Sequence, residues 1–138
     1  MFTNIDHIVI YVTDQRTALE FYIGKLGFEL WHCSTGGILY GGYHLCVGLR
    51  GSRTKLQLAL RQPGAELHGA SVMLACENLL STHKELLSRG VEFRNHPGSG
   101  VEFASFLDPD GNELFLSDSN ENWIDEGSLQ RLLQGISD

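Results

Sequence analysis

The chain contains a structural unit that occurs twice, about 64 residues apart. The first copy is an apolar run at residues 7–12, followed by a helical pattern that stops at Gly27. The second copy is a similar run at residues 71–76, followed by a helical pattern that stops at Gly90. The offset is 64 at the start of the runs (71 − 7) and 63 at the glycines (90 − 27). Such a repeat indicates two similar modules that enclose a space between them.

Hydrophobic periodicity predicts the elements of each module, because strands alternate every two residues and helices every 3.6. The predicted strands are 7–12, 28–34, 38–49, 55–61, 70–76, 91–95, 101–107 and 113–117, and the predicted helices are about 14–26 and 79–89. We therefore predict an α+β fold of two tandem βαβββ modules. They form a mixed, mostly antiparallel curved sheet around a concave cavity, with the helices outside.

The domain boundaries follow from the same pattern. A single domain is predicted at residues 1–118, with module one at 1–62 and module two at 69–118. Apolar residues at helical spacing continue beyond this domain, and they predict a C-terminal amphipathic helix extension at 119–138. The apolar positions of this extension are Ile124, Leu129, Leu132, Leu133 and Ile136.

Composition excludes several functional classes. The net charge of −7 and the lack of a basic run argue against a nucleic-acid partner. No apolar run approaches the roughly 18 residues that cross a bilayer, so no membrane association is expected. The three cysteines are odd in number and lie in strand-like runs at 33, 46 and 76. We expect buried thiols in a reduced, cytoplasmic protein.

Period-two alternation also assigns a face to each strand residue. Ile10 and Val12 share the aliphatic face of the first strand, which is expected to pack on the helices, whereas His7 and Tyr11 share the mixed face. The mixed faces should line the cavity, and Trp31 lies on a strand that reaches its mouth. The other residues expected on mixed faces are Gln57, Arg61, Ser71, Met73, Glu113 and Phe115.

Three sequence features follow one another along the chain. They are the Asp-His-Ile-Val-Ile sequence at 6–10, the Phe-Tyr to Leu-Gly-Phe helix end at 21–28, and the Asp-Pro-Asp-Gly-Asn turn at 108–112. Together, in this order, they resemble the vicinal-oxygen-chelate superfamily, and the resemblance covers residues 5–118. The superfamily includes glyoxalase I, extradiol dioxygenases, fosfomycin-resistance enzymes and bleomycin-binding proteins. The resemblance implies the fold and leaves the reaction open, because the fold hosts both enzymes and binding proteins.

In the enzymes of this superfamily, side chains of the first and last strands hold a divalent metal. His7 matches the first-strand ligand position, whereas Gln57 stands where glyoxalase-like members often carry Glu, Ser71 where they carry His, and Phe115 where Glu is expected. The implied metal set is therefore His7 and Gln57, which falls short of the three protein ligands of a catalytic site. His68 and Glu113 are nearby substitutes, and Glu113 is also a candidate general base.

Three functional hypotheses follow. The favoured one is a glyoxalase/bleomycin-resistance-like protein that binds a small organic molecule as a homodimer, with no cofactor. The alternative is a metal-dependent glyoxalase-like lyase or dioxygenase that uses a divalent metal on His7, Gln57 and Glu113. A third is an interaction module whose cavity is filled by Phe115 and Met73. The expected ligand-binding residues are His7, Tyr11, Trp31, Gln57, Arg61, Ser71, Met73, Glu113 and Phe115.

Overall fold

A computed structural model describes residues 1, 3–35, 42–61, 71–98, 100–118 and 124–135. The strands are β1 (His7–Val12), β2 (Glu29–Ser34), β3 (His44–Gly48), β4 (Lys55–Leu60), β5 (Ser71–Cys76), β6 (Phe93–Asn95), β7 (Ala104–Leu107) and β8 (Glu113–Asp118). The helices are α1 (Gln15–Leu19), which continues as a π-helical segment (Glu20–Lys25), α2 (Leu79–Ser88) and α3 (Glu126–Leu133).

The eight strands form two four-stranded sheets with the same topology. The strand order is β1-β4-β3-β2 in the first sheet and β5-β8-β7-β6 in the second. In each sheet the first and last strands of the module pair in parallel, and the other neighbours pair antiparallel. The predicted α+β fold of two tandem βαβββ modules with mixed, mostly antiparallel pairing is confirmed.

The face of each sheet that packs on the helices is the aliphatic one. Ile10 and Val12 are fully buried, whereas Tyr11 between them is 43% exposed. Ile8 is 41% exposed although it shares the aliphatic face, because it lies near the start of the strand. The buried residues of both modules form one continuous cluster that includes Tyr22 and Leu86 from the helical segments. The mixed faces therefore lie on the opposite side from the helices.

The helix ends follow the sequence signals. The side chains of Asp14 and Asn78 accept hydrogen bonds from backbone N–H groups in the first turns of α1 and α2, as N-caps do. Gly27 and Gly90 follow the two helical segments with φ of 81° and 84°, a conformation that glycine adopts without strain. The π-helical winding of residues 20–25 was not predicted by the apolar spacing.

The turn at residues 108–112 connects module two to module one. Asp108 is 4% exposed, and its Oδ2 accepts hydrogen bonds from the Tyr22 hydroxyl at 2.9 Å and from Asn112 Nδ2 at 2.8 Å. Its Oδ1 accepts the backbone N–H groups of Asp110 and Asn112. Asp110 Oδ1 in turn accepts both the N–H and the hydroxyl of Thr13. This turn thus holds the end of β1 and the π-helical segment as well as its own hairpin.

Beyond residue 118 the structure contains α3, whose Leu132 and Leu133 are 73% and 71% exposed. The amphipathic extension over 119–138 stays a prediction. Residues 119–123 and 136–138 lie outside the described part of the chain. Cys46 and Cys76 are buried as expected, but Cys33 is exposed because β2 is the edge strand of its sheet. Among the described residues, no helix is long and apolar enough to cross a membrane.

Candidate ligand-binding cavity

The concave face of the first sheet carries a row of side chains across all four strands. Gln57 on β4 lies between Val9 on β1 and Cys46 on β3, and His32 on β2 lies opposite Cys46. Directly paired residues point to the same side of a sheet, so these four side chains share one face. The predicted position of Gln57 on the mixed face agrees with this register.

An open pocket of about 530 Å³ lies on this face. Two of its lining residues, His7 and Trp31, were predicted from the sequence. The remaining ones were not predicted, and they are Asp6, His32, His44, Cys46 and Lys55. Period two would place His44 and Cys46 on a common face, but only the register of β3 against β4 shows that it is the face of Gln57. Burial raises the pKa of the Cys46 thiol, so Cys46 contributes a neutral wall.

Asp6 joins His7 to Lys55 at one end of this pocket. Its Oδ2 lies 2.9 Å from His7 Nδ1 and 3.0 Å from Lys55 Nζ. The hydrogen bonds from His7 and Lys55 hold the pKa of the Asp6 carboxyl below its usual range, so the group is ionised and can only accept. A ring nitrogen facing an ionised carboxylate carries a proton, so Nδ1 donates to Asp6, and in the neutral tautomer Nε2 is left as a hydrogen-bond acceptor.

Trp31 lies flat against the backbone of β3. A Cβ atom added at Gly48 would come within 2.5 Å of three atoms of the Trp31 ring, so only glycine permits this position. The indole N–H points toward Glu29, with Nε1 and Oε1 3.4 Å apart. The ring thus forms an aromatic wall of the pocket next to His7.

We predict that Gly48→Ala displaces the Trp31 ring without unfolding the chain. The added methyl group overlaps the Trp31 ring. The ring has to move, because the backbone of β3 cannot. Tryptophan fluorescence in a Trp123→Phe background, which isolates Trp31, is expected to shift in wavelength. Gly24→Ala is the matched control, since an added Cβ there meets nothing within 4 Å. Identical spectra for the two variants would contradict this packing.

The concave face of the second sheet is more apolar. Met73 on β5 pairs with Phe115 on β8, and Met73 is 57% exposed. The Phe115 ring lies 5.9 Å from that of Phe103, measured between centroids. One row away, Ser71 pairs with Glu113. The register therefore brings together the four predicted residues of module two on one face.

Glu113 is held by polar neighbours on this face. Its Oε2 accepts a hydrogen bond from Ser105 Oγ at 3.0 Å, and Ser105 Oγ in turn accepts from Asn95 Nδ2 at 2.7 Å. Its Oε1 lies 3.7 Å from Arg94 Nη1. These contacts orient the carboxylate, and its role as a general base stays a prediction.

The last two predicted residues lie toward the other end of β1 and β4. Tyr11 pairs with Ala59, and its side chain is exposed. Arg61 follows the last residue of β4, and its backbone N–H donates to the carbonyl of Val12 at 2.8 Å. Both residues are therefore outside the group that lines the pocket around His7.

The residues at the metal-ligand positions do not fit a divalent metal. They offer one imidazole at His7, a neutral amide at Gln57, a hydroxyl at Ser71 and a phenyl ring at Phe115. Three protein ligands with nitrogen, sulfur or carboxylate donors are the usual minimum for a catalytic site. Within the described ranges, no three His, Cys, Asp or Glu side chains are close enough to hold a metal ion. His68 lies outside those ranges.

Paired βαβββ modules with ligand positions on their concave faces define the vicinal-oxygen-chelate fold. The sequence model of the Glyoxalase/Bleomycin resistance protein/Dioxygenase superfamily matches residues 4–116, and the chain belongs to this family. The predicted resemblance is therefore confirmed.

Individual relatives agree with this assignment. The chain is 30% identical over 122 residues to the uncharacterized protein YetH of Bacillus subtilis (strain 168), covering 86% of this chain and all of YetH. The crystal structure of TnmS3, an antibiotic binding protein from Streptomyces sp. CB03234, is 26% identical with a TM-score of 0.74 over 86% of this chain and 98% of TnmS3. The crystal structure of a superfamily member from Sphaerobacter thermophilus DSM 20745 is 27% identical, with a TM-score of 0.71 over 86% of this chain and 98% of that protein.

Proposed function

We propose that this protein binds a small organic molecule on its concave face and needs no metal to do so. The observation that carries the proposal is the chemistry of the ligand positions. Ser71 and Phe115 stand in place of two of the superfamily's four metal-binding groups, and Gln57 replaces a third with a neutral amide. Phe115 instead forms an apolar surface with Met73 and Phe103. Apolar and aromatic walls with a few polar anchors are typical of small-molecule sites.

The polar anchors of the proposed site lie in the first sheet. In its neutral form His7 offers Nε2 as an acceptor, the Lys55 ammonium is a donor, and Trp31 offers a flat ring beside them. A planar molecule with hydroxyl or carbonyl groups fits this combination of ring and hydrogen-bonding groups. The antibiotic-binding activity of TnmS3 supports an antibiotic-like ligand, and the net charge of −7 favours a cationic one.

We also propose that the protein works as a homodimer in the cytoplasm. Val9, Tyr11 and Met73 are 37%, 43% and 57% exposed in the single chain, although all three belong to the concave faces. A second copy or a bound ligand would remove this apolar surface from water.

The alternative functions are less well supported. A metal-dependent lyase or dioxygenase would need His7, Gln57 and Glu113 to share one ion, but Glu113 is already held by Ser105 and Arg94. An interaction module with a filled cavity would leave no large opening on this face. The open pocket beside His7 argues against that hypothesis.

A thermal-shift screen tests the proposal. The panel consists of metal-free bleomycin and planar aromatic antibiotics, with excess EDTA present throughout. A ligand that binds only the folded chain at about 100 times its Kd adds about 2.7 kcal/mol of stability. We expect at least one compound to raise the melting temperature of the wild type and to lose this effect in Phe115→Asp. Leu132→Ser on exposed α3 is the control variant, and equal shifts in all three proteins would refute binding at the concave face.

A further inference from the structure

Two histidines of module two face each other on the outer side of the molecule. His83 lies on α2, and His96 follows β6. Nε2 of His83 is 2.9 Å from Nδ1 of His96, and the two ring planes are nearly perpendicular, at 85°. Neither residue lines the pocket beside His7, and the proposed ligand binding uses neither of them.

Their positions are fixed by the packing around them. Leu79 and Leu86 bury one side of α2, and Phe93 pairs with Phe106 across β6 and β7. The Phe93 ring lies 4.6 Å from the ring of His83 and 5.9 Å from that of His96, measured between centroids. The helix and the strand therefore present the two imidazoles to each other before any ligand arrives.

Two neutral imidazoles in this arrangement can also bind a metal ion between them. Imidazole nitrogens bind Zn²⁺ at about 2.0–2.1 Å, which places two ligands of a tetrahedral ion roughly 3.3 Å apart. To bind an ion, the two nitrogens must move apart slightly from the observed 2.9 Å, and each ring must tilt so that its lone pair points at the ion instead of at the other ring. Burial and the neighbouring His96 lower the pKa of His83, which favours the neutral ring that metals require.

We propose that His83 and His96 form a two-imidazole binding site for a divalent transition metal, with Cu²⁺ bound more tightly than Ni²⁺ or Zn²⁺. The order follows from the general affinity series for nitrogen ligands. In the hydrogen-bonded pair, one ring donates its N–H to the other. When the metal binds, that proton moves to the other nitrogen of the same ring, and His83 Nε2 and His96 Nδ1 both coordinate the ion. Among the described residues, no third His, Cys, Asp or Glu joins the pair, so water completes the coordination.

Calorimetric titration of the untagged chain with CuCl₂, NiCl₂ and ZnCl₂ tests this site. His83→Gln and His96→Asn should each weaken the site by about tenfold or more, since even the loss of an outer-shell partner typically costs 10–100-fold. The matched control is His32→Gln, because His32 and His44 form a second close pair of imidazole rings among the described residues, with centroids 4.7 Å apart. Wild-type affinity in His83→Gln, or an equal loss in His32→Gln, would overturn the proposal.

Melting temperature gives an independent measure, because a metal that binds only the folded chain stabilises it. Cu²⁺ should raise the melting temperature of the wild type and of His32→Gln, and leave those of His83→Gln and His96→Asn unchanged. The electron paramagnetic resonance spectrum of the bound Cu²⁺ should show coupling to two imidazole nitrogens. A spectrum without nitrogen coupling would assign the ion to another site and overturn the proposal.

Discussion

Asp108→Ala is expected to lower the free energy of unfolding by about 3–4 kcal/mol, since each buried donor left without a partner costs about 1–3 kcal/mol. The carboxylate accepts hydrogen bonds from the Tyr22 hydroxyl, the Asn112 side chain and two backbone N–H groups. The substitution removes all four at a site that is nearly closed to water. Urea denaturation followed by circular dichroism measures the loss.

Two further variants show which hydrogen bonds of the turn account for this loss of stability. Tyr22→Phe removes a single hydrogen bond and should cost about 1–1.5 kcal/mol. Asp110→Ala removes the contacts with Thr13, which are exposed, and should cost about 1 kcal/mol or less. If Asp108→Ala is as stable as Asp110→Ala, the turn does not hold the two modules together.

The triple variant Gln57→Glu, Ser71→His and Phe115→Glu should gain a metal site. The three changes restore the carboxylate, imidazole and carboxylate that the resemblance places beside His7. The variant is expected to retain about one divalent ion per chain after dialysis, as closed sets of three or four protein ligands do. Elemental analysis after exposure to Ni²⁺, Mn²⁺ and Zn²⁺ measures the gain.

The reversal variant adds His7→Ala to the triple variant and should lose the ion again. Adding His83→Gln instead should leave it in place, which separates this site from the proposed outer one. If the triple variant retains no more metal than the wild type, the concave positions of the two modules do not converge as the fold implies.

The sequence predicted the faces of the strands because alternation is a local property. Ile10 and Val12 are buried and Tyr11 is exposed, as period two requires. Gly27 and Gly90 end the helical segments for an equally local reason, since each adopts a positive φ. The two-module fold follows from these local patterns and the repeat.

The contacts between distant segments could not be predicted in this way. The 108–112 sequence indicates a turn, but nothing local shows that Asp108 accepts a hydrogen bond from Tyr22, which lies 86 residues earlier. The pocket wall formed by His32 and Cys46 depends on a register shift in β2 between Leu30 and His32. A bulge of this kind moves side chains to the other face, and the apolar pattern carries no signal for it.

The most direct test of the central claim is a calorimetric titration of the wild type with the tightest compound from the antibiotic panel. It is performed once with excess EDTA and once with added Mn²⁺, Ni²⁺ or Zn²⁺. Metal-independent binding predicts the same Kd in both conditions, and a weaker Kd in Phe115→Asp. Binding that appears only with added metal and disappears in His7→Ala would contradict the account and establish the metal-dependent alternative.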